Sequence, residues 1–149
     1  MDNSNLKYSD ITQRIIGCAM RVHAELGNGF QEVIYQRCMA IEMDDDGLES
    51  VREQEMPIFY KGTEVGMRRV DSLVEGCVLV EYKAVIALEP VHLAQAKNYL
   101  EAFNLDAGLL INFGAKNLEV KRLFNNKVRD KNSVFPENPV NPENPGSDK

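Results

Sequence analysis

No stretch of this 149-residue sequence approaches the roughly 18 uninterrupted apolar residues that a membrane-spanning helix needs. The first ten residues have neither a basic segment nor an apolar one, so they do not resemble a secretory signal. The three cysteines are widely spaced without a Cys-x-x-Cys pair, which argues against a disulfide framework and a zinc site. Free thiols and no leader predict a cytoplasmic protein without a membrane partner.

The sequence also lacks an excess of basic residues. Lysine and arginine number 17 against 23 aspartates and glutamates, for a net charge of −6. Domains that bind nucleic acid by broad electrostatics are usually basic, so the composition counts against that class. An enzyme with a local acidic metal site stays open, because the metal supplies positive charge where a phosphate must sit. No ATP-binding motif is present, so the chain is not itself a motor.

What is present fits one soluble domain followed by a tail. The composition is 44% hydrophobic and 27% charged, and the length is enough to bury a core. Most of the prolines fall in the last segment, where the string PENP occurs twice. Proline removes backbone donors and blocks helix and sheet. We therefore expect a folded domain over residues 1–129 and a disordered Pro/Asn-rich tail over residues 130–149.

Hydrophobic periodicity predicts helices packed against a mixed central sheet, an α/β (or α+β) fold. The predicted helices are Asp10–Leu26, Gln31–Asp45 and Pro90–Phe103. The predicted strands are Val51–Tyr60, Gly66–Val74, Val78–Val85, Ala107–Gly114 and Leu118–Phe124. Pro57 marks the first strand as an edge or bulged strand, because it cannot donate to a ladder.

Local signals refine the two N-terminal helices. Ser9 or Asp10 can cap the first helix, and Gly27 can end it. The predicted buried stripe of the second helix consists of Val33 or Ile34, Cys38, Ile41 and Met43. The acidic run Asp44 to Asp46 is expected to be the solvated end of that helix.

One charged pair interrupts an otherwise apolar central strand. In the run CVLVEYKAV, Glu81 and Lys83 are two residues apart and so point to one face. Asp71 lies on the preceding strand. Two carboxylates on paired strands offer the oxygen ligands that Mg²⁺ (or Mn²⁺) takes, and lysine adds a compact positive charge beside a phosphate or attacking water. The alternative is a surface carboxylate and an exposed Glu–Lys pair.

The connection between these strands has to meet a geometric condition. Asp71 shares a face with Glu81 only if the two are opposite each other in the ladder. A two-residue turn at Glu75-Gly76 would place Asp71 opposite Val80 instead. We therefore predict a loop with an odd number of residues or a bulge, with Gly76 as its left-handed residue.

The chain resembles the GxxExxY proteins, a family placed in the PD-(D/E)XK nuclease superfamily. The string GFQEVIY has Gly29, Glu32 and Tyr35 in the positions that name the family. The resemblance continues through VDSLVEG, LVEYKAV, EPVHLAQAKNYL and AGLLINFGA, roughly residues 11 to 124. It departs at Val70, where the superfamily's name has proline.

The resemblance implies a restriction-endonuclease-like core and a set of site residues. Asp71, Glu81 and Lys83 match the superfamily's aspartate and its ExK. Glu32 matches the helical glutamate that often completes the site. Gln95, four residues before Tyr99, has the QxxxY spacing of the RecB-like branch and could reach toward the site.

The resulting hypothesis is a Mg²⁺-dependent phosphodiesterase that acts on DNA ahead of RNA. Asp71 and Glu81 would bind the metal with Glu32 and the backbone carbonyl of Tyr82, while Lys83 handles the water and Gln95 orients substrate or a ligand. The alternative is a non-catalytic module that binds nucleic acid or protein and retains the fold and metal site. Sequence specificity would require a homodimer or a protein partner.

Other polar residues are expected to serve the structure. Tyr35 and Tyr99 are interpreted as packing residues, His23 and His92 as capping or packing residues, and the cysteines as small buried hydrophobes. A basic group near the C-terminal strand contacts either a phosphate backbone or only solvent. Its members are Lys116, Lys121, Arg122, Lys127 and Arg129.

Overall fold

The computed structural model describes residues 8–128. The predicted tail at residues 130–149 and Arg129 lie outside the described residues. Within them the chain forms a five-stranded mixed sheet flanked by helices, which confirms the predicted fold class.

The element order matches the sequence prediction, with ends that differ by a few residues. The helices are α1 (Ser9–Leu26), α2 (Glu32–Asp45) and α3 (Pro90–Ala102). The strands are β1 (Ser50–Tyr60), β2 (Thr63–Val74), β3 (Val78–Lys83), β4 (Ala107–Asn112) and β5 (Glu119–Phe124).

The sheet follows the chain in the order β1-β2-β3-β4-β5. Neighbours are antiparallel except β3 and β4, which are parallel and joined by α3. A parallel pair needs such a crossover because its connection must return to the starting end of the sheet. Pro57 lies on the edge strand β1, as predicted.

Two apolar layers cover the two faces of the sheet. One face packs on α1 and α2 and carries Val78, Val80 and Tyr82. The other packs on α3 and carries Leu79 and Leu110. Because β3 is covered on both sides, its ends are the places where a polar group can reach solvent.

The start of α1 differs from the prediction. Neither Ser9 nor Asp10 caps it, because both lie inside the helix, and Tyr8 precedes it with a left-handed φ of 63°. The Tyr8 hydroxyl instead donates to Asp106 Oδ2 at 3.1 Å, so a tertiary contact fixes the start of the helix. Gly27 ends the helix with φ 73°, as predicted.

The predicted stripe of α2 is only partly right: Met43 is buried and Cys38 is half-buried against the core, but the stripe is centred on other residues. The buried positions are Tyr35, Met39 and Met43, whereas Ile41 is 63% exposed. The rotation of the helix follows from Tyr35, whose ring stacks on Phe113 with centroids 4.6 Å apart. A large ring buried in that way sets which face of the helix meets the sheet.

Tyr35 also closes the loop between α1 and α2. Its hydroxyl donates to Gly27 O at 2.6 Å and accepts from Phe30 N–H at 3.1 Å. The expected packing role is confirmed, and it fixes the start of α2, where Glu32 lies.

Most of the other residues with expected structural roles also serve the fold. His92 forms a capping box with Glu89 at the start of α3, and His23 Nε2 lies 3.1 Å from the carbonyl oxygen of Ala115. Cys18 is buried, whereas Cys38 and Cys77 are half-buried against the core. The expectation of a solvated acidic run is wrong for Asp46, which pairs with Arg14 at 2.9 Å because α1 packs on α2.

Candidate metal centre between β2 and β3

A three-residue loop joins β2 to β3. Val74 pairs with Val78, so the loop is Glu75 to Cys77, and Gly76 has φ 67°. The predicted odd-numbered loop with a left-handed Gly76 is therefore confirmed. Continuing this register places Asp71 opposite Glu81.

Two carboxylates replace the backbone ladder at that point. The pairing of β2 with β3 ends at Ser72 and Val80, one residue short of Asp71 and Glu81. Asp71 Oδ2 accepts from the backbone N–H of Tyr82 at 2.8 Å, and Glu81 Oε2 accepts from the backbone N–H of Asp71 at 3.0 Å. Each side chain thus bonds the neighbouring strand, which holds the strands apart while keeping both amides bonded.

The pairing of β2 with its other neighbour, β1, is also interrupted beside Asp71. Arg52 pairs with Ser72 and Gln54 with Val70, but Glu53 between them has a left-handed φ of 55° and no ladder partner. A non-glycine residue in this region is uncommon and is held there by its surroundings. Asp71 therefore lies at a break in the pairing on both of its sides.

The site is acidic and shielded from water. Glu81 is 4% exposed. Burial raises the pKa of the Asp71 carboxyl, and burial followed by the charge of Asp71 raises the pKa of the Glu81 carboxyl. A buried pair of like charges gains from any cation that both can contact.

Helix α2 contributes a third carboxylate. Gln36 Nε2 lies 3.4 Å from Glu32 Oε2 and 3.3 Å from Asp71 Oδ1, so one amide bridges the two side chains. Burial and then the charge of Asp71 raise the pKa of Glu32, whereas the positive charge of Lys83 lowers it. These interactions bring the predicted Glu32 to the same site.

The remaining predicted residues are placed differently. Lys83 ends β3, and its positive charge acts on Asp71 and Glu32, although its side chain makes no hydrogen bond or ion pair within residues 8–128. The backbone of Tyr82 contacts the site through its N–H, which donates to Asp71 Oδ2. Gln95 is exposed on α3 and makes no hydrogen bond to the carboxylates, so the structure does not bring it into contact with them.

Two residues of the site were absent from the sequence prediction. Gln36 could have been found, because it lies four residues after Glu32 on the same helix face. Arg68 could not, because an offset of three residues from Asp71 predicts the opposite face of a regular strand. Arg68 nevertheless donates to Glu81, because the alternation of β2 breaks along this stretch: Val70 packs against α3, whereas Val74 packs against α1 and α2.

A model of one known family matches residues 9–123, which is most of the chain. The family is described as the PD-(D/E)XK nuclease superfamily. This chain belongs to it. One solved structure, that of the protein SSO0001, is similar with a TM-score of 0.48 and 16% identity. The match covers 82% of this chain and 61% of that one. No curated protein matches the chain significantly.

The donor atoms of this PD-(D/E)XK site suit a magnesium ion. Among the residues that the structure describes, no three histidines, cysteines, aspartates or glutamates form a group that could hold a metal ion. Magnesium is usually held by one or two carboxylates, with waters and substrate phosphates as its other ligands. Asp71 and Glu81, adjacent and acidic, fit that requirement.

The length and hydropathy of the helices bear on membrane insertion. None of the three helices within residues 8–128 is long and apolar enough to cross a membrane.

The raised pKa values predict how stability depends on pH. A carboxyl with a higher pKa in the folded than in the unfolded state stabilises the fold at low pH, and this contribution is lost as pH rises through the folded pKa. In EDTA, the melting temperature should therefore fall less between about pH 5 and 8 for Glu81→Gln than for wild type. Glu25→Gln, on the exposed surface of α1, is the control. Parallel curves for all three proteins would contradict the expectation.

Proposed function

We propose that this protein is a metal-dependent nuclease of the GxxExxY branch that hydrolyses phosphodiester bonds in DNA. The observation that carries the proposal is a pair of hydrogen bonds in which Asp71 and Glu81 each accept from the backbone of the other strand. These crossed bonds separate β2 from β3. They fix two carboxylates side by side at the end of a buried strand, with Lys83 two residues further along. Such an arrangement suits the chemistry of phosphate transfer.

Asp71 and Glu81 would hold Mg²⁺, or Mn²⁺ in its place, with Glu32 and the Tyr82 carbonyl as further oxygen donors. The bound ion would lower the pKa of a water and polarise the phosphate. Gln36 keeps the Glu32 and Asp71 carboxylates oriented toward each other through its bridging amide. The ligand set is thus positioned by hydrogen bonds to the sheet and to α2.

Lys83 and Gln95 would act on the substrate. The ammonium of Lys83 has no partner within the described chain, so its three donors are free to hold the attacking water or an oxygen of the phosphate. Gln95, exposed on α3 one turn before Tyr99, would contact the nucleic acid rather than the carboxylates.

The surface beside the site offers contacts for a phosphate backbone despite the acidic net charge. Lys116 and Lys121 are exposed in the loop between β4 and β5 and near the start of β5, whereas exposed Arg122 and Lys127 lie farther toward the opposite end of the sheet. Lys116 follows β4, whose last residue Asn112 pairs with Lys83. The positive side chains of Lys116 and Lys121 on this part of the sheet would bring the phosphates toward the site. A homodimer or a protein partner would add sequence specificity.

The test is a cleavage assay on the full chain. Wild type, Asp71→Asn and Glu25→Gln are incubated with single-stranded DNA, duplex DNA and RNA in Mg²⁺, Mn²⁺ or EDTA. We expect wild type and Glu25→Gln to cut DNA in either metal and not in EDTA. Asp71→Asn should be at least about a hundredfold slower, because it loses a charged ligand while the amide oxygen can still bond Tyr82 N–H.

The controls separate chemistry from folding. Circular dichroism should show the same spectrum for the three proteins, since the Asp71→Asn change keeps the size of the side chain. Cleavage of RNA alone would correct the substrate. Cleavage that persists in EDTA, or that Asp71→Asn leaves unchanged, would remove the proposed metal mechanism. No cleavage of any substrate by wild type would favour a binding role.

A further inference from the structure

The guanidinium of Arg68 lies inside the proposed metal centre. Nη2 donates to Glu81 Oε1 at 2.6 Å, and the guanidinium carbon lies 4.7 Å from the centre of the Tyr99 ring. The Nε atom is buried with no hydrogen-bond partner among the described residues. The side chain is 31% exposed. The ion pair with Glu81 and the contact with the Tyr99 ring hold the cation in place.

This ion pair engages an oxygen that a metal ion would need. Glu81 Oε1 accepts from Arg68, and Oε2 accepts from the backbone of Asp71. The bond to Asp71 is part of how β2 meets β3, whereas the bond to Arg68 involves only side chains. A cation that approaches Glu81 therefore has Oε1 as the oxygen that can be released without disturbing the strands.

Electrostatics makes the two cations competitors. A guanidinium and a divalent ion on one carboxylate repel each other across a few ångströms in a partly buried site, where the repulsion is screened less than in water. The guanidinium must move off Oε1, or the ion binds weakly. Tyr99 favours the present position, because its ring face attracts the cation.

We propose that Arg68 is a positioning residue that serves as a built-in counterion for Glu81, and that a divalent cation binds only by displacing it from Oε1. The proposal rests on the proposed function, because it takes Glu81 as a metal ligand. It makes the metal affinity of the site lower than the carboxylates alone would give. It also gives Tyr99, at the end of the QxxxY spacing, a role in setting that affinity.

The neighbouring Arg69 provides a matched control. It lies on the same strand, is exposed, and pairs with Glu55 at 3.1 Å, away from the carboxylates of the site. Removing its charge changes the net charge by the same amount as removing that of Arg68. A difference between the two variants therefore reports position and not overall charge.

The experiment is a calorimetric titration of the full chain with Mn²⁺ alone, at about pH 8, without nucleic acid. Arg68→Gln should bind Mn²⁺ at least about tenfold more tightly than wild type, whereas Arg69→Gln should match wild type. In EDTA, Arg68→Gln should also melt at a lower temperature, because buried Glu81 loses its partner. Its rise in melting temperature on adding Mn²⁺ should therefore exceed that of wild type.

Two substitutions at Tyr99 keep the test informative if Arg68→Gln does not fold. Tyr99→Leu removes the ring that holds the guanidinium and should tighten Mn²⁺ binding a few-fold. Tyr99→Phe keeps the ring face and should match wild type. The pair separates the cation–ring contact from general packing, since Tyr99 also stacks on Phe103.

The outcomes separate this proposal from the function on which it rests. If wild type binds Mn²⁺ and Arg68→Gln binds it with equal or weaker affinity, the role of Arg68 is overturned and the metal centre stays in place. Binding by Arg68→Gln alone supports the role. No binding by wild type or any variant overturns both.

Discussion

Replacing Lys83 by methionine should lower the cleavage rate about a thousandfold while Mn²⁺ still binds. Methionine has a similar length and an unbranched apolar stem, but it lacks the ammonium. The Lys83 side chain makes no hydrogen bond or ion pair within residues 8–128, so the substitution leaves every described bond in place. What it removes is the charge beside the phosphate and the water.

The measurement has two parts. Single-turnover cleavage in excess enzyme gives the rate of the chemical step, and a thermal melt with Mn²⁺ reports metal binding. Loss of a charge that repels the metal should leave the Mn²⁺-induced rise in melting temperature unchanged or larger. Lys97→Met, exposed on α3, is the control for loss of one positive charge. A Lys83→Met enzyme that cuts at the wild-type rate would exclude the lysine from the reaction.

Replacing Asn112 by alanine should lower the free energy of unfolding by about 3–5 kcal/mol. The side chain is fully buried at the end of β4. Its Oδ1 accepts from Val85 N–H at 2.9 Å and Gly114 N–H at 3.0 Å, and its Nδ2 donates to Val85 O at 2.9 Å and Glu119 Oε1 at 2.8 Å. Alanine would leave several of these groups without partners.

Urea unfolding of Asn112→Ala, with the slope compared to wild type, measures the loss. Asn117→Ala, exposed in the loop between β4 and β5, should change the stability by no more than about 0.5 kcal/mol. Val85 lies two residues after Lys83, so Asn112→Ala also removes the bonds that anchor the loop after the lysine. We therefore expect cleavage to be slower as well. An Asn112→Ala protein as stable as wild type would contradict the assigned bonds.

Gly114 explains why this anchor is so close to the strands. A Cβ atom at position 114 would lie about 2.4 Å from Val85 N and 2.5 Å from Ala84 C, distances that real contacts do not show. The loops after β3 and β4 therefore touch through bare backbone. The end of β3, where Lys83 lies, is held by this contact together with Asn112.

The order of elements could be predicted because each has a strong local pattern. The apolar run at β3 and the proline at the start of α3 act through nearest neighbours. The register of Asp71 against Glu81 could be deduced as well, because one face of the hairpin had to carry both carboxylates. That deduction correctly gave a loop with an odd number of residues and the left-handed Gly76.

The failures share a cause in tertiary contacts. The face of α2 is set by the stacking of Tyr35 on Phe113, which are far apart in the sequence. The start of α1 is set by Tyr8 and Asp106. Both override local preference, as packing often does.

The position of Arg68 depends on a backbone irregularity that no residue type in the sequence indicates. Glu53 is not a glycine, yet it adopts a left-handed φ of 55° opposite Asp71. Along β2, Val70 packs against α3 and Val74 against α1 and α2, so strand alternation no longer predicts which of its side chains share a face. The ion pair between Arg68 and Glu81 follows only from the folded chain.

The crossed bonds at Asp71 and Glu81 bear on how this site would decay over evolutionary time. An apolar substitution at either position abolishes a ligand and also leaves a backbone amide of the sheet unbonded, at a cost of about 1–3 kcal/mol. Purifying selection for folding alone would then exclude apolar residues at both positions in a lineage that had stopped cutting nucleic acid, but it would accept an amide, whose oxygen makes the same bond. Lys83 carries no such structural bond. Among descendants of this chain, the identity of the residue at position 83 is therefore the sensitive indicator of retained catalysis, whereas a polar residue at position 71 or 81 is not.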